Sequence, residues 1–148
     1  MPDAPDPQRV ADRVREGMLA NDRATQGLGI RIESLTPGAA TLVMTVRSDM
    51  LNGFDICHGG FITTLADSAF AFSCNSRNEM TVASGLSIDF LAPAREGDVL
   101  TARAVEVSLS GRTGVYDVTV DNQRGERIAV FRGRSYAMKG KQTVPDAR

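Results

Sequence analysis

Histidine is nearly missing from this chain: of 148 residues one, His58, is a histidine, beside two cysteines, no tryptophan and an aromatic content of 5%. There is no CxxC pair and no HExxH segment, so the usual ligands of a zinc site are lacking and no metal is expected. No run of about 18 apolar residues occurs, which excludes an ordinary membrane-spanning helix. A net charge of −1 supplies no basic field for nucleic acid or an anionic membrane. Cys57 and Cys74 stand too far apart along one helix to bridge, and free thiols fit a reducing compartment. The opening MPDAPDP carries acid and proline where a secretory signal carries basic and then apolar residues, so a cytoplasmic location is expected.

What is present fits one domain. A chain of this length buries roughly two thirds of its unfolded surface, and 42% hydrophobic with 24% charged residues is ordinary for a globular protein. Residues 1–7, rich in proline and polar groups, are expected to be disordered, 8–138 to form the domain, and 139–148 to be a flexible tail. Val10, Val14 and Met18 give residues 8–20 one narrow apolar stripe, a short peripheral helix. From Leu28 the period becomes two: Leu28, Ile30 and Ile32, then Ala40, Leu42, Met44 and Val46 across the Thr36-Pro37-Gly38 turn, make a hairpin with one buried face. Strands are expected again over 82–90, broken by Gly85, over 99–109 with a bulge near Ala104-Val105, over 114–121 and over 127–138.

Between them lies LNGFDICHGGFITTLADSAFAFSCNSRN, residues 51–78, a loop and then a long helix from Cys57 or His58 to about Arg77. Between Asp55 and Arg77 its one formal charge is Asp67. Ile62, Leu65, Ala69 and Phe72 form a large apolar face for a sheet, while Gly60, Thr63, Thr64, Asp67, Ala71 and Cys74, all small but the acid, lie opposite. A curved antiparallel sheet of five to six strands wrapping this helix is the expected architecture, an α+β fold. One sheet covers one side, so the other side or the open sheet edge points to a homo-oligomer.

No basic residue stands at 63, 64, 70 or 71 to pair with Asp67. Such an acid is either a hydrogen-bonded structural group or a catalytic one, and spacing alone leaves both open. Gly59-Gly60 sits in the first turn, where N–H groups lack intrahelical acceptors and the dipole is positive, a place for an anion or a developing oxyanion. His58 alone reads as a cap or an orienting group. From His58 to Asp67 is about 13.5 Å of rise and about 180° of rotation, so one subunit cannot bring both to one reacting group. If both act together, the acid comes from one subunit and the glycine turn from another.

Asn52-Gly53, Cys57-His58-Gly59-Gly60, Leu65-Ala66-Asp67, Cys74-Asn75-Ser76 and Ser84 to Ala94 (SGLSIDFLAPA) followed by Gly97-Asp98, in this order, resemble the hotdog-fold thioesterases of the PaaI type. That family is the phenylacetate-pathway branch that hydrolyses aryl-acyl-coenzyme A thioesters, and the resemblance spans about 27–138. It implies a hotdog fold, no cofactor, a dimer of dimers with active sites between subunits, Asp67 as catalytic carboxylate, the Gly59 N–H on the thioester carbonyl, and Asn52 and His58 at the family's polar and histidine positions. Asp67 then acts as general base or as nucleophile. A hydroxyl residue found in some relatives falls at Ala71. Coenzyme A brings phosphates, for which Arg95, Arg132, Arg134 and Arg112, in Gly111-Arg112-Thr113, are the cations considered. Gly60, Ser84 and Gly85 are expected along the ligand path. Phe54, Phe61, Phe90 and Leu91 shape an acyl pocket or belong to the core. A hotdog hydratase and a non-catalytic acyl-CoA-binding domain stay open as alternatives.

Overall fold

The structure, a computed structural model, describes residues 3–145. Its elements are α1 (Pro7–Asn21), α2 (Arg23–Gly27), β1 (Arg31–Thr36), β2 (Ala39–Thr45), a 3-10 turn (Ser48–Met50), α3 (Gly59–Asn75), β3 (Thr81–Phe90), β4 (Val99–Ser110), β5 (Thr113–Asp121) and β6 (Arg127–Ala137). The six strands form one antiparallel sheet in the order β1-β2-β4-β5-β6-β3, curved around α3. Among the described residues no helix is long and apolar enough to cross a membrane.

The sheet covers α3 along Ile62, Leu65, Ala66, Ala69, Phe70 and Phe72, all buried. Phe70 makes an edge contact with Tyr116 of β5 at 5.5 Å between ring centres and lies 5.9 Å from Phe131 of β6. Gly133 of β6 makes room for it, since a Cβ there would come within 2.8 Å of the Phe70 ring. Helix α1 starts with Asp6 accepting from the Gln8 N–H and Pro7 in the first turn, and it buries Ala11 and Val14. Gln8 Nε2 donates to the Leu35 carbonyl at 2.8 Å, and Arg15 donates to that of Ile32.

Several expected boundaries move. Leu28 does not open β1: the Asp22 carboxylate caps one more helical turn, α2, and the strand starts at Arg31 after Gly29 turns the chain at φ 67°. The long helix starts at Gly59, one residue after the His58 cap, and ends at Asn75. β3 is unbroken at Gly85; a bulge between Ala83 and Gly85 absorbs the extra residue. The β4 bulge falls between Glu106 and Ser108 rather than at Ala104-Val105, where the pairing with both neighbours is regular.

The expected loose ends are partly tied. Pro7 is already helical. In the tail the Lys141 carbonyl accepts from Met80 N–H at 2.9 Å, Thr143 Oγ1 lies 2.7 Å from Asn75 Oδ1, and Val144 exchanges two hydrogen bonds with the Asn78 side chain at 2.7 and 2.9 Å. Met1, Pro2 and residues 146–148 lie outside the described residues, and the part of these expectations that falls on them lies there too.

Gly133→Ala is expected to destabilise the fold by about 1–3 kcal/mol through overpacking against Phe70, measured by urea unfolding. The double variant with Phe70→Leu should lose less than the sum of the two single losses. Additive losses would show that the two sites do not share this contact.

Candidate active site

The first turn of α3 sorts its free donors. His58 is the N-cap, and its Nδ1 accepts from Gly60 N–H at 3.3 Å, while Phe61 N–H reaches the His58 carbonyl at 3.0 Å. Gly59 N–H donates no hydrogen bond among the described residues. It is a spare donor at the positive end of a 17-residue helix.

Asn52 is held next to it by a turn. Its Oδ1 accepts from Phe54 N–H at 2.9 Å and Ile56 N–H at 3.4 Å, and its own N–H donates to the Ile56 carbonyl at 2.9 Å. The loop is then stitched to the body by Cys57 N–H on the Ala94 carbonyl at 2.7 Å and His58 N–H on that of Met50 at 2.8 Å. With Oδ1 used twice, the Asn52 Nδ2 group has no hydrogen-bond partner among the described residues. Asn52, Gly59, Ile62, Phe90, Leu91 and Pro93 line one cleft of about 560 Å³. Phe90 lies over Gly59 so closely that a Cβ at Gly59 would come within 2.8 Å of its ring tip. The Phe90-to-Ala94 segment is a wall of this cleft, while Phe54, at 84% exposure, points away into solvent.

Asp67 is elsewhere. Eight residues on from Gly59, or about 12 Å of rise, it lies half-buried on the stripe that the sheet leaves uncovered, with no hydrogen bond or ion pair among the described residues. Burial, and after it the Asp22 carboxylate, hold its carboxyl above the usual carboxylate range. Next to it Ser68 Oγ meets Thr25 Oγ1 at 3.2 Å, and Thr25 Oγ1 donates to Asp22 Oδ2 at 2.7 Å. This acidic neighbour goes beyond the residues expected from sequence. Its signal was the Asp-x-x-Thr cap at 22–25. Ala71 follows one turn after Asp67 with no hydroxyl to offer.

Other chemistry is limited. Burial pushes the Cys57 thiol up to about 11 and the Cys74 thiol up to about 12, so neither is a thiolate nucleophile near neutral pH. Among the described residues no cluster of His, Cys, Asp and Glu can hold a metal.

The expected binding residues separate into groups. Gly60 is exposed on the first turn, and Arg95 follows the cleft wall at Ala94, also exposed. Arg132 and Arg134 share the outer sheet face, but Arg132 is spent on a two-pronged pair with Asp117 at 2.7 and 2.8 Å. The Arg134 guanidinium lies over Gly85, where a Cβ would meet it at 2.5 Å, and has no carboxylate partner among the described residues. Ser84 Oγ, at the bulge, donates to the Arg134 carbonyl at 3.2 Å. Gly111, Arg112 and Thr113 form the β4–β5 turn, tied to β6 by Ala137 N–H on the Arg112 carbonyl at 2.7 Å. That turn lies at the Thr81 end of β3, away from the Phe90 end that borders the cleft. A single chain therefore unites Asn52 and Gly59 but not Asp67, and keeps Arg112 at a distance.

The family model for the thioesterase superfamily matches residues 54–129. The chain is 46% identical to the acyl-coenzyme A thioesterase PaaI of Escherichia coli K12, covering 83% of this chain and 88% of that one. It superposes on the structure of the E. coli PaaI protein from the phenylacetic acid degradation operon with a TM-score of 0.90 at 43% identity, over 92% of this chain and 99% of that one. A hypothetical thioesterase protein of Streptococcus pneumoniae solved with coenzyme A matches with a TM-score of 0.72 at 26% identity, over 76% and 90% of the two chains.

A carboxyl raised by folding weakens the fold in its ionised form. The penalty is absent below the unfolded pKa, grows as pH rises through the carboxylate range, and is complete above the folded pKa. Asp67→Asn is therefore expected to raise the urea midpoint at neutral pH and to lose that advantage in acid. An equal or lower midpoint at neutral pH would contradict the assigned environment.

Proposed function

The chain belongs to the thioesterase superfamily and has the hotdog fold, and we propose that it hydrolyses an acyl-coenzyme A thioester to the free acid and coenzyme A, with an aryl or hydroxyphenylacetyl-type acyl group. The observation that carries this reading is the spare Gly59 N–H at the head of α3, in a cleft with Asn52, while the same helix carries an unpartnered carboxylate, Asp67, along its uncovered stripe. In this reading the thioester carbonyl oxygen accepts from Gly59 N–H, and the helix dipole favours the charge that develops there. Asp67 takes a proton from water as the water oxygen adds to the carbonyl carbon; the C–S bond then breaks and coenzyme A leaves as thiolate, which is protonated. In the second route the carboxylate itself adds, expels the thiolate and forms a mixed anhydride that water hydrolyses. Asn52 Nδ2 orients water or the carboxylate, and His58 holds the first turn in place.

The two halves meet only if a second subunit supplies one of them. β3 is an open sheet edge, and Leu86 and Phe90, on its helix-facing side, are substantially exposed. A two-fold pairing of β3 with its copy would cover both, and its antiparallel sense would bring the Arg112 turn of one subunit to the cleft end of the other. Arg134 and Arg95, without an ion-pair partner among the described residues, are further cations for the phosphates, and Gly60, Ser84 and Gly85 flank the path. Such dimers pairing again would give the dimer of dimers. The two protonated, unbridged cysteines accord with a cytoplasmic setting. A hydratase reading draws no support from His58, whose Nδ1 is taken by the cap.

Thiol release from phenylacetyl, hydroxybenzoyl, short-chain and long-chain coenzyme A esters tests the reaction and the acyl preference. Asp67→Asn is expected to lower kcat by at least about a hundredfold, and near-normal turnover would remove the acid from the mechanism. Mixed oligomers of Asp67→Asn and Asn52→Ala subunits should regain part of the activity. No regain in verified mixed oligomers would place both groups' action within one subunit.

A further inference from the structure

The α1–α2 junction has a feature that packing alone does not require. Asp22 both ends α1 and caps α2: its Oδ1 accepts from Thr25 N–H at 3.0 Å and its Oδ2 from Thr25 Oγ1 at 2.7 Å. Thr25 is fully buried, and its hydroxyl meets Ser68 Oγ at 3.2 Å, on the residue next to Asp67. A second carboxylate is thereby fixed near the acid of α3 by a three-residue chain whose Thr25–Ser68 link is buried, although asparagine or serine would cap α2 as well.

We propose that Asp22, anchored through Thr25 to Ser68, is a positioning residue that moves the acid limb of the pH–rate profile to higher pH by placing its negative charge near Asp67, in addition to the effect of burial. This rests on Asp67 being the catalytic carboxylate. Two titratable neighbours of Asp67 are identified, Asp22 from the N-terminal segment and Cys74 from its own helix, and no lysine or arginine of the described residues pairs with it. Cys74 stays a neutral thiol across the working range, because burial holds it up at about 12. The remaining fixed negative charge, Asp22, favours the protonated acid. Removing that charge lets Asp67 ionise at lower pH, and a base or nucleophile is competent once ionised.

The test is the pH dependence of kcat/KM, by thiol release from phenylacetyl-coenzyme A, for the full chain and for Asp22→Asn, Asp22→Ser and Asp22→Glu, with Asp67→Asn as control. Both neutral caps are expected to shift the acid limb to lower pH, about twofold or more in relative rate at its foot. Asp22→Glu keeps the charge and should keep the limb near that of the parent. A purely structural cap would alter stability or the plateau and leave the limb in place. If Asp67→Asn is inactive and the limbs of both neutral variants coincide with the parent's, the role of Asp22 is overturned and the catalytic acid stands. If Asp67→Asn stays active, the catalytic reading falls and this inference falls with it.

Discussion

One curved sheet can cover one side of a helix, and the rest of this molecule depends on that limit. Leu65, Phe70 and Phe72 are fully buried on the covered side of α3, where each large side chain is worth about 1.5–3 kcal/mol relative to exposure. That side secures the helix. The other side is then free to carry residues with no packing value, and Gly60, Thr63, Thr64, Asp67, Ala71 and Cys74 run along it partly exposed. Among the described residues no buried side-chain nitrogen or oxygen lacks a partner. A carboxylate with no hydrogen bond is tolerable on this stripe because it is half in water, and it would be costly one residue further round, at Ser68, inside the Thr25 contact.

Much of this was legible in the residues. Long signals survived: the 3.6 period of α3, the alternation of the later strands and the Gly-Gly turn before a lone acid all led to the elements observed. Short or purely tertiary features did not. α2 is five residues long and exists through one cap and one buried threonine, so the apolar alternation from Leu28 outweighed it. Bulge positions depend on the partner strand's register, which no single strand encodes. The tail reads as charged and loose, yet Val144 seats so close to Gly17 that a Cβ there would lie 2.6 Å away. Arg132 and Arg134 were equivalent by spacing; only Asp117, brought opposite Arg132 by the β5–β6 register, separates a neutralised arginine from a free one. Asp22 is silent in the sequence for the same reason as α2, since its meaning comes from Ser68, 43 residues from its ligand Thr25.

The separation of Gly59 from Asp67 along one helix has its own physical logic. A carboxylate in the first turn would be drawn to the same N–H groups and the same positive dipole that an oxyanion needs. It would occupy the Gly59 donor and have its basicity lowered by it. Eight residues further on, the acid is beyond the first turn, where the dipole's influence has faded, and burial with the Asp22 charge acts on it in the opposite direction. The proposed donor and the proposed catalytic acid thus keep opposite electrostatic surroundings on one rigid element. The helix cannot also bend them together, so the proposed reunion is one of symmetry: two copies running in opposite directions would set the head of one beside the middle of the other, and the uncovered stripe of small residues leaves room for that approach.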